Sequence, residues 1–518
     1  MGLFSFLKKV RRSQKNVEPK SSNVLLEKKP IEKSLYKNVQ YIKSTLGNAP
    51  DLVIREVIIR ETKLKGAILF IDGIVDENLL NEFFLTPLLQ TDEEIETLDQ
   101  LEQTALQLLP ISRLKDLNVL IKELLSGNSI FLLEGQTEAI KLAISAWEMR
   151  SIDEPETEAT VRGPREGFNE SLGVSLTLIR RKIVNPNLRF EVITVGAATN
   201  TKVCLVYIHD LASPRLVKEI KKRINKIEHD TILESGYIEQ FIEDDSSSIF
   251  PTIGNTEKPD KLAAKILEGR IGILVDGTPI ALSVPYLFVE AFQTAEDYYS
   301  RQYYSSLVRI IRFLSFGISI NFPALYVATQ NFHKEMIPTE LLASIAAARE
   351  GVPFPLVMEL VMMLIVFEIL REAGVRMPQA IGQAMSIVGA LILGDAAVQA
   401  GVVGTPTIII IGITGITSFV VTPLSDSSAI LRFLFIVPAS VIGLYGLILA
   451  NLVLLVHLSS IKSAGIPYLS PISPAVFNDW RDVFVRLHPK FYKETRAKSI
   501  PLQKDPKKYR FEPEDEQL

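Results

Sequence analysis

Ionisable and amide side chains inside long apolar segments are the residues of this chain that could do chemistry. Glu359, Asp395 and Asn321 each lie within such a segment. Because a charge in hydrocarbon is costly, an ionisable residue inside a membrane span is a functional candidate by default. Packing remains the alternative: Glu359 could be protonated or paired between helices. Asn321 or a water molecule could satisfy the carbonyl of Ser319, which Pro323 leaves free.

The segment over 379–399 combines polar ends with an apolar middle. Its polar residues are Gln379, Gln383, Ser386, Asp395 and Gln399. Ile387 and Val388 lie between them, and an apolar constriction flanked by polar residues can gate a pore by dewetting. The pattern predicts that this helix lines a pore. Close helix packing through its small residues is the alternative.

A second candidate site lies in an irregular stretch before the middle of the chain. Arg162 and Arg165 flank Gly163 and Pro164, and Glu166 follows. Two guanidinium groups can hold an anion or a carboxylate in a bidentate manner. The stretch is therefore predicted to make an intersubunit contact or to bind an anion. Salt bridges within the chain, to Glu166 or to the acidic residues upstream, are the alternative.

Five apolar segments must position these candidates: 311–331, 352–371, 379–399, 402–423 and 432–458. About 20 apolar residues span a hydrocarbon core of about 30 Å, and such unbroken runs predict helices. Basic flanks near Arg309 and Arg486 both favour the cytoplasmic side, yet five crossings would separate them. We therefore expect one segment not to cross fully, within 379–424 or 432–458.

Helices alternate with strands in the first 300 residues, whose composition is that of a soluble protein. The predicted fold class is multidomain: a soluble α/β (α+β) N-terminal region of two subdomains, followed by an α-helical polytopic membrane domain. The predicted parts are a basic disordered arm (1–34), subdomain 1 (35–150), a linker with subdomain 2 (151–300), the transmembrane domain (301–462) and a basic cytoplasmic tail (463–518).

Composition excludes several classes of function. The net charge of −4 argues against a nucleic-acid partner. Cys204 is the single cysteine and is expected to be a buried strand thiol, without a disulfide or a cysteine metal cluster. We find no nucleotide-binding glycine motif, no metal-ligand spacing and no nucleophile–base arrangement, so we predict no cofactor, no metal and no enzymatic activity. The first residues do not fit a signal peptide, which predicts that the soluble region is not exported.

The linker and the membrane segments carry a family resemblance. The stretch EPETE over 154–158, followed by RGPREGF over 162–168, resembles the signature of the A subunits of GerA family spore germinant receptors. Three further stretches are similar to that family: ILVDGTP (273–279), AREGVPFP (348–355) and GIPYLSPISP (465–474). The resemblance covers roughly residues 35–490.

This resemblance implies a multi-pass subunit in the inner membrane of a bacterial endospore. The basic flanks near Arg309 and Arg486 predict that both chain ends lie on the cytoplasmic side. It implies a transporter-like B subunit and a lipoprotein C subunit as partners, a homo-oligomer, and an ion-conducting pore that triggers germination in response to small nutrients. Two alternatives remain open. One is a secondary transporter of a small solute; the other is a spore-membrane paralogue that acts with the dipicolinate channel proteins.

Overall fold

A computed structural model describes residues 23–25, 28–60, 62–90, 95–104, 110–144, 154–155, 157–158, 160–376, 391–477, 479–488, 500, 502 and 508–510. The chain forms two compact units. The first comprises Met1–Glu243, Ile253–Pro285 and Tyr492–Leu518, and the second comprises Asp244–Thr252 and Tyr286–Phe491. Each unit is described separately below.

The first unit contains two antiparallel five-stranded sheets with helices packed on them. The first subdomain comprises α1 (Leu35–Thr45), β1 (Leu52–Ile58), β2 (Lys65–Ile71), α2 (Glu77–Leu80), α3 (Thr86–Gln90), α4 (Leu98–Thr104), β3 (Ile111–Leu114), α5 (Leu117–Leu125), β4 (Ser129–Leu133) and β5 (Ala139–Leu142). A π-helical turn, Asn81–Leu85, joins α2 to α3. Apolar clusters cover both faces of this sheet, which explains why β2 is apolar at successive positions rather than alternating.

The second subdomain follows the linker and has the same order of elements, except that two helices rather than three lie between its second and third strands. It comprises α6 (Leu172–Lys182), β6 (Leu188–Val195), β7 (Thr201–Ile208), α7 (Pro214–Ile224), α8 (Ser235–Ile242), β8 (Gly254–Thr256), α9 (Pro259–Leu267), β9 (Ile271–Val275) and β10 (Ala281–Val284). All the strand pairs of this sheet are antiparallel, and the β6–β7 and β9–β10 pairs are hairpins. The predicted α/β (α+β) character of the N-terminal region is confirmed, and its five-stranded sheets are antiparallel.

The two subdomains are structural repeats. The spatial order is β1-β2-β4-β5-β3 in the first sheet and β6-β7-β9-β10-β8 in the second, so the five strands are arranged identically. The sequence preserves the relation at the last hairpin, where FLLEGQTEAIKL (131–142) corresponds to ILVDGTPIALSV (273–284). Our sequence analysis missed this duplication.

An acidic residue in the last hairpin turn caps the first helix of each subdomain. A carboxylate oxygen of Glu134 accepts a hydrogen bond from the Leu35 N–H at 2.8 Å, and Asp276 accepts one from Leu172 at 3.1 Å. The next turn residue donates in both subdomains: Gly135 to the Lys33 carbonyl and Gly277 to that of Glu170, each at 2.8 Å. Helix N-termini have N–H groups without intrahelical acceptors, so each turn fixes its helix against its sheet.

A buried ion pair joins the two subdomains. The Arg180 guanidinium donates to Asp51 through Nε at 2.9 Å and Nη2 at 3.0 Å, with the two side chains 1% and 8% exposed. The guanidinium also lies over the Phe190 ring at 4.4 Å. The two subdomains therefore meet through a desolvated, bidentate contact.

Cys204 is buried in the sheet of the second subdomain, as predicted, and its burial raises the pKa of the thiol.

The second unit is helical. It comprises α10 (Glu296–Tyr299), α11 (Gln302–Phe332), α12 (Thr339–Ala348), α13 (Leu356–Arg376), α14 (Ala397–Gln399), α15 (Thr405–Phe419), α16 (Ser425–Ile442) and α17 (Leu444–Ser460), with a π-helical turn, Leu391–Ala396, before α14. Within the described ranges, two helical stretches are long and apolar enough to cross a membrane, Gln302–Phe332 and Thr422–Ile442. Shorter apolar helices, α12, α15 and α17, accompany them.

The predicted single segment over 432–458 is wrong, because Gly443 divides it into α16 and α17. Gly443 adopts φ 63°, a left-handed conformation that glycine accommodates without strain. The Ser427 hydroxyl at the start of α16 donates to the Ile249 carbonyl at 2.6 Å, and His457 near the end of α17 lies 3.3 Å from the Ser248 hydroxyl. The start of α16 and the end of α17 therefore both contact residues 248–249, so α16 and α17 form a helical hairpin.

The segment around Arg486 lies near the start of α11. The Arg486 N–H donates to the Ser306 hydroxyl at 3.0 Å. The two basic flanks thus lie at one end of the helical unit, and the number of membrane crossings stays a prediction. The segment predicted as a C-terminal tail is also partly packed: Tyr468 is fully buried, and Arg486 is 8% exposed.

Candidate functional site

Glu359 is completely buried at the junction of α13 and α15. One carboxylate oxygen accepts a hydrogen bond from the Gly404 N–H at 2.8 Å, at the N-terminus of α15. The other oxygen lies 3.3 Å from Nη2 of Arg349. A side chain on Gly404 would collide with Arg349, because its Cβ would fall 2.9 Å from the arginine Cγ. Glu359 is therefore paired between elements, as the packing alternative anticipated.

A second charge network lies nearer the end of α13. Arg371 pairs with Glu368 three positions earlier at 2.9 Å, a spacing that local sequence reasoning favours. Nη1 of Arg432, on α16, contacts the other oxygen of Glu368 at 2.8 Å, and Arg432 is fully buried. This arginine ties α16 to α13, and leaving either partner alone would strand a charge in an apolar environment.

Asn321 connects two helices. Its side-chain amide donates to the Gly317 carbonyl at 3.0 Å, so of the two proposed partners for the Ser319 carbonyl, Asn321 or water, Asn321 is wrong. The Asn451 amide of α17 donates to the Asn321 side-chain oxygen at 2.7 Å. This part-buried amide pair fixes the register of α11 against α17, since both side chains would otherwise leave polar groups unsatisfied.

Arginines at the start of α11 are buried in ion pairs. Arg309 contacts Asp482 at 2.8 Å and Asp297 at 3.2 Å, and Arg312 contacts the same Asp297 oxygen at 2.8 Å. The Arg486 guanidinium donates to backbone carbonyls at residues 297–300. This network attaches the segment after α17 to the base of α11.

Four of the predicted pore residues, Gln383, Ser386, Ile387 and Val388, lie outside the described residues. Asp395 is described; it is exposed in the π-helical turn Leu391–Ala396. Its predicted role at the pore remains a prediction.

The linker candidates divide into an anchored and an exposed part. The Pro164 carbonyl accepts a hydrogen bond from Lys258 at 2.7 Å. Glu166 accepts from Lys182 at 2.7 Å and contacts Arg181 at 2.9 Å. Partial burial opposes ionisation, but these two cations hold the pKa of Glu166 below its ordinary value. Glu166 thus fixes the linker to its own subdomain.

The exposed part contains both arginines. Arg165 contacts Glu154 at 3.2 Å, with the two side chains 62% and 65% exposed. Arg162 is exposed, and Gly163 adopts φ 139°. An ion pair this exposed contributes little to stability. The contact with Glu154 therefore does not explain, in terms of stability, why arginines stand at both 162 and 165.

The comparisons with known proteins agree with the sequence motifs. The family described as "Bacillus/Clostridium GerA spore germination protein" matches residues 40–499. The chain belongs to the GerA family. It is 46% identical over 477 residues to spore germination protein KA of Bacillus subtilis (strain 168), covering 91% of this chain and 87% of that protein.

Two further similarities were found. The uncharacterized membrane protein YfkQ of Bacillus subtilis (strain 168) is 40% identical, covering 88% of this chain and 90% of the relative. The crystal structure of the N-terminal domain of the A subunit of the Bacillus megaterium spore germinant receptor GerK3 is 36% identical, covers 50% of this chain and 98% of that chain, and gives a TM-score of 0.41.

Arg349 and Arg432 are site residues of this GerA family protein that our sequence reasoning missed. Arg432 is the first residue of the predicted segment 432–458, and we assigned it no role. Arg349 belongs to the stretch AREGVPFP, which we used only as a family motif. For Arg432 a signal was available, because an arginine inside an apolar helical segment marks a functional or paired residue.

Proposed function

We propose that this protein is the A-type membrane subunit of a spore nutrient germinant receptor. In this proposal it joins a transporter-like B subunit and a lipoprotein C subunit, forms a homo-oligomer, and gates an ion flux that starts germination. The observation that carries the proposal is the family match over 40–499, which extends through both compact units. The activity is binding and gating rather than catalysis.

The helical unit supports a gated pore in physical terms. Part-buried contacts join the described helices: an ion pair between Glu368 and Arg432 joins α13 to α16, and an amide pair between Asn321 and Asn451 joins α11 to α17. A scaffold fixed in this way can support a moving element without losing its own packing. We assign the moving element to the 379–399 segment, with Ile387 and Val388 as the apolar constriction.

The proposed location is the inner membrane of the spore, with the first unit and the C-terminal segment on the cytoplasmic side. The support is the position of the basic flanks of α11 and of residue 486 at one end of the helical unit. Arg162 and Arg165 are proposed to contact a neighbouring subunit, since both are exposed and they flank Gly163 and Pro164.

The experiment is a germination assay on spores that lack the gene and carry wild-type or variant copies. The proposal expects loss of the response to a nutrient, restored by the wild-type copy, and recovery of B and C subunits with the tagged protein. If the deletion leaves nutrient responses intact but slows dipicolinate release after any stimulus, the protein is better explained as the paralogue that acts with the dipicolinate channel proteins.

One observation favours a transporter as the second candidate. The 15-residue helix α15 begins with its N-terminus on the buried carboxylate of Glu359. In secondary transporters, the N-termini of discontinuous helices point at anionic groups of the substrate. The rate of ion or solute flux per oligomer distinguishes a transporter from a channel. Saturable flux driven by a solute gradient favours the transporter, and electrical currents far above carrier turnover favour the channel.

A further inference from the structure

The second subdomain and its linker carry two exposed patches of opposite charge. The first, which we call the arginine loop, comprises residues 161–165. Val161 is 88% exposed, the Arg165 side chain is 62% exposed, and Arg162 is also exposed. Arginine is among the residues enriched at protein–protein interfaces, and an exposed apolar side chain beside it adds area that a partner can bury. The loop therefore has the composition of a contact surface.

A buried lysine fixes the position of the arginine loop. Lys258 is 1% exposed, and its ammonium group donates to the Pro164 carbonyl at 2.7 Å and to the Thr160 hydroxyl at 3.2 Å. A buried ammonium group needs such hydrogen bonds, so Lys258 holds the chain on both sides of 161–163 while these residues stay in solvent. A loop held in this way loses little conformational entropy when it binds a partner.

The second patch, which we call the acidic aromatic patch, comprises residues 228–230 and the exposed face of α8. The His229 ring centroid lies 5.8 Å from that of Phe241 and 6.2 Å from that of Tyr237. Tyr237 and Phe241 are 40% and 45% exposed, and Glu228 and Asp230, which flank His229, are exposed as well. Aromatic faces and carboxylates are the groups that bind guanidinium, by cation–π and ionic contacts.

The two patches lie on opposite sides of the second sheet. The arginine loop is held at the start of α9, and α9 packs with α6 on the sheet face that contains Phe190 of β6. Side chains alternate along a strand, so Glu191 points to the other face, where it accepts from Lys221 of α7 at 2.5 Å. Arg223 of α7 donates to the Ile242 carbonyl at 2.7 Å, which places the end of α8 beside α7. One chain therefore presents the two patches in opposite directions.

We propose that the arginine loop of one copy of this chain binds the acidic aromatic patch of the next copy. In this contact Arg162 and Arg165 face Glu228 and Asp230, and Val161 packs on the aromatic rings. Because the two patches differ and point in opposite directions, the contact is head-to-tail, and such contacts close into a ring when the rotation between copies allows it. The inference rests on the homo-oligomer of the proposed function and names the surfaces that build it.

The contacts that each patch makes within its own chain leave it able to bind. The Arg165–Glu154 pair is exposed on both sides, so Arg165 can exchange it for a carboxylate of a neighbour at little cost. Lys221 and Arg223 of α7 are paired with carboxylates of their own chain, which balances their charge. Lys226 is exposed two residues before the patch, so its charge opposes the arginines of the neighbour.

The test is oxidative cross-linking of the full-length protein in its membrane, produced together with its partner subunits. Cys204 is buried, so only introduced cysteines should react. Val161→Cys combined with Tyr237→Cys should give a ladder of dimers, trimers and higher species, since each copy links to two neighbours. Either cysteine alone should give no ladder. The matched control combines Val161→Cys with Val119→Cys, an exposed apolar position on α5, and should also give none.

Charge reversal makes the test independent of misfolding. Arg162→Glu with Arg165→Glu, added to the cysteine pair, should lower the cross-linked fraction about tenfold, because like charges then face each other. Adding Glu228→Arg and Asp230→Arg to that variant should restore the ladder, which a misfolded protein could not do. Lys226→Gln alone should increase the cross-linked fraction.

Three results would count against the inference, and they are distinguishable. A wild-type protein that is monomeric by mass, even with its partner subunits, would refute the homo-oligomer of the proposed function as well. A homo-oligomer that gives only dimers or no cross-links, and that tolerates charge reversal, would overturn this interface alone. Loss of a partner subunit on charge reversal, with the homo-oligomer intact, would assign the arginine loop to that subunit instead.

Discussion

The Asp51–Arg180 pair gives the sharpest stability prediction. We consider Asp51→Ala, which leaves the Arg180 guanidinium 1% exposed and without its carboxylate. Removing one partner of a buried ion pair costs about 3–5 kcal/mol, mainly because the other charge is stranded. Two hydrogen bonds of 2.9 and 3.0 Å are lost here, so we expect about 4 kcal/mol.

The assay is amide hydrogen exchange in the full-length protein, read on β1 and β6, which belong to the two subdomains. A loss of about 4 kcal/mol should accelerate exchange of their most protected amides about a thousandfold. The matched control is Glu77→Ala, which breaks the Arg55–Glu77 pair, 39% exposed on each side. A surface pair of this kind contributes about 0–1 kcal/mol, so exchange should change less than tenfold.

A double variant separates two explanations of such a loss: the missing attraction of the ion pair, and the cost of leaving one charge buried without a partner. Asp51→Leu combined with Arg180→Met replaces the ion pair with apolar side chains, and it should cost much less than Asp51→Ala alone. If the two single effects simply add, or if Asp51→Ala behaves like the surface control, the buried pair does not hold the subdomains together.

The remaining predictions test other parts of the molecule. Burial and two neighbouring carboxylates raise the pKa of Glu239 to about 7, above its ordinary 4.5, so its contribution to stability is present below pH 4.5 and lost as pH rises through 7. Glu239→Gln should therefore be more stable than wild type at pH 8 and equal at pH 4 in urea unfolding, while the exposed Glu228→Gln should match wild type at both pH values. Val388→Ser should hydrate the proposed constriction and raise ion leak without nutrient; unchanged leak at normal protein levels would remove this helix from the pore. Arg165→Ala should weaken subunit assembly, measured by the mass of the solubilised complex, without lowering the unfolding temperature; an early-melting variant that assembles normally would make the pairing internal. The cysteine of a Phe477→Cys variant should resist labelling from the outer face of the membrane. Efficient labelling there would refute the prediction that both basic flanks lie on the cytoplasmic side.

Strands and helices of the first unit could be predicted from the sequence because their signals are local. The hairpin at Asp276-Gly277 and the helix starting at Pro214 follow from turn and capping residues. Sheet order is not a local property, and the repeat of the two subdomains became visible only when the strand orders were compared. The correspondence of Glu134-Gly135 with Asp276-Gly277 was nevertheless present in the sequence.

The helical unit was harder to predict, because apolar composition does not mark where a helix turns back. Gly443 ends α16 within a run that hydropathy treats as continuous. Glu359 was recognised as an unusual residue, but its partners Arg349 and Gly404 are 10 and 45 positions away. Local spacing could identify the Glu368–Arg371 pair, whereas the contact of Glu368 with Arg432 depends on how α13 packs against α16.

Whether this subunit gates an ion flux can be decided by recording currents across bilayers that contain the purified protein, with and without its B and C partners. We expect unitary currents far above the turnover of a carrier, from a channel that is closed at rest in the wild type and open at rest in Val388→Ser. Electrically silent bilayers for both proteins, at a confirmed density of assembled oligomers, would contradict it.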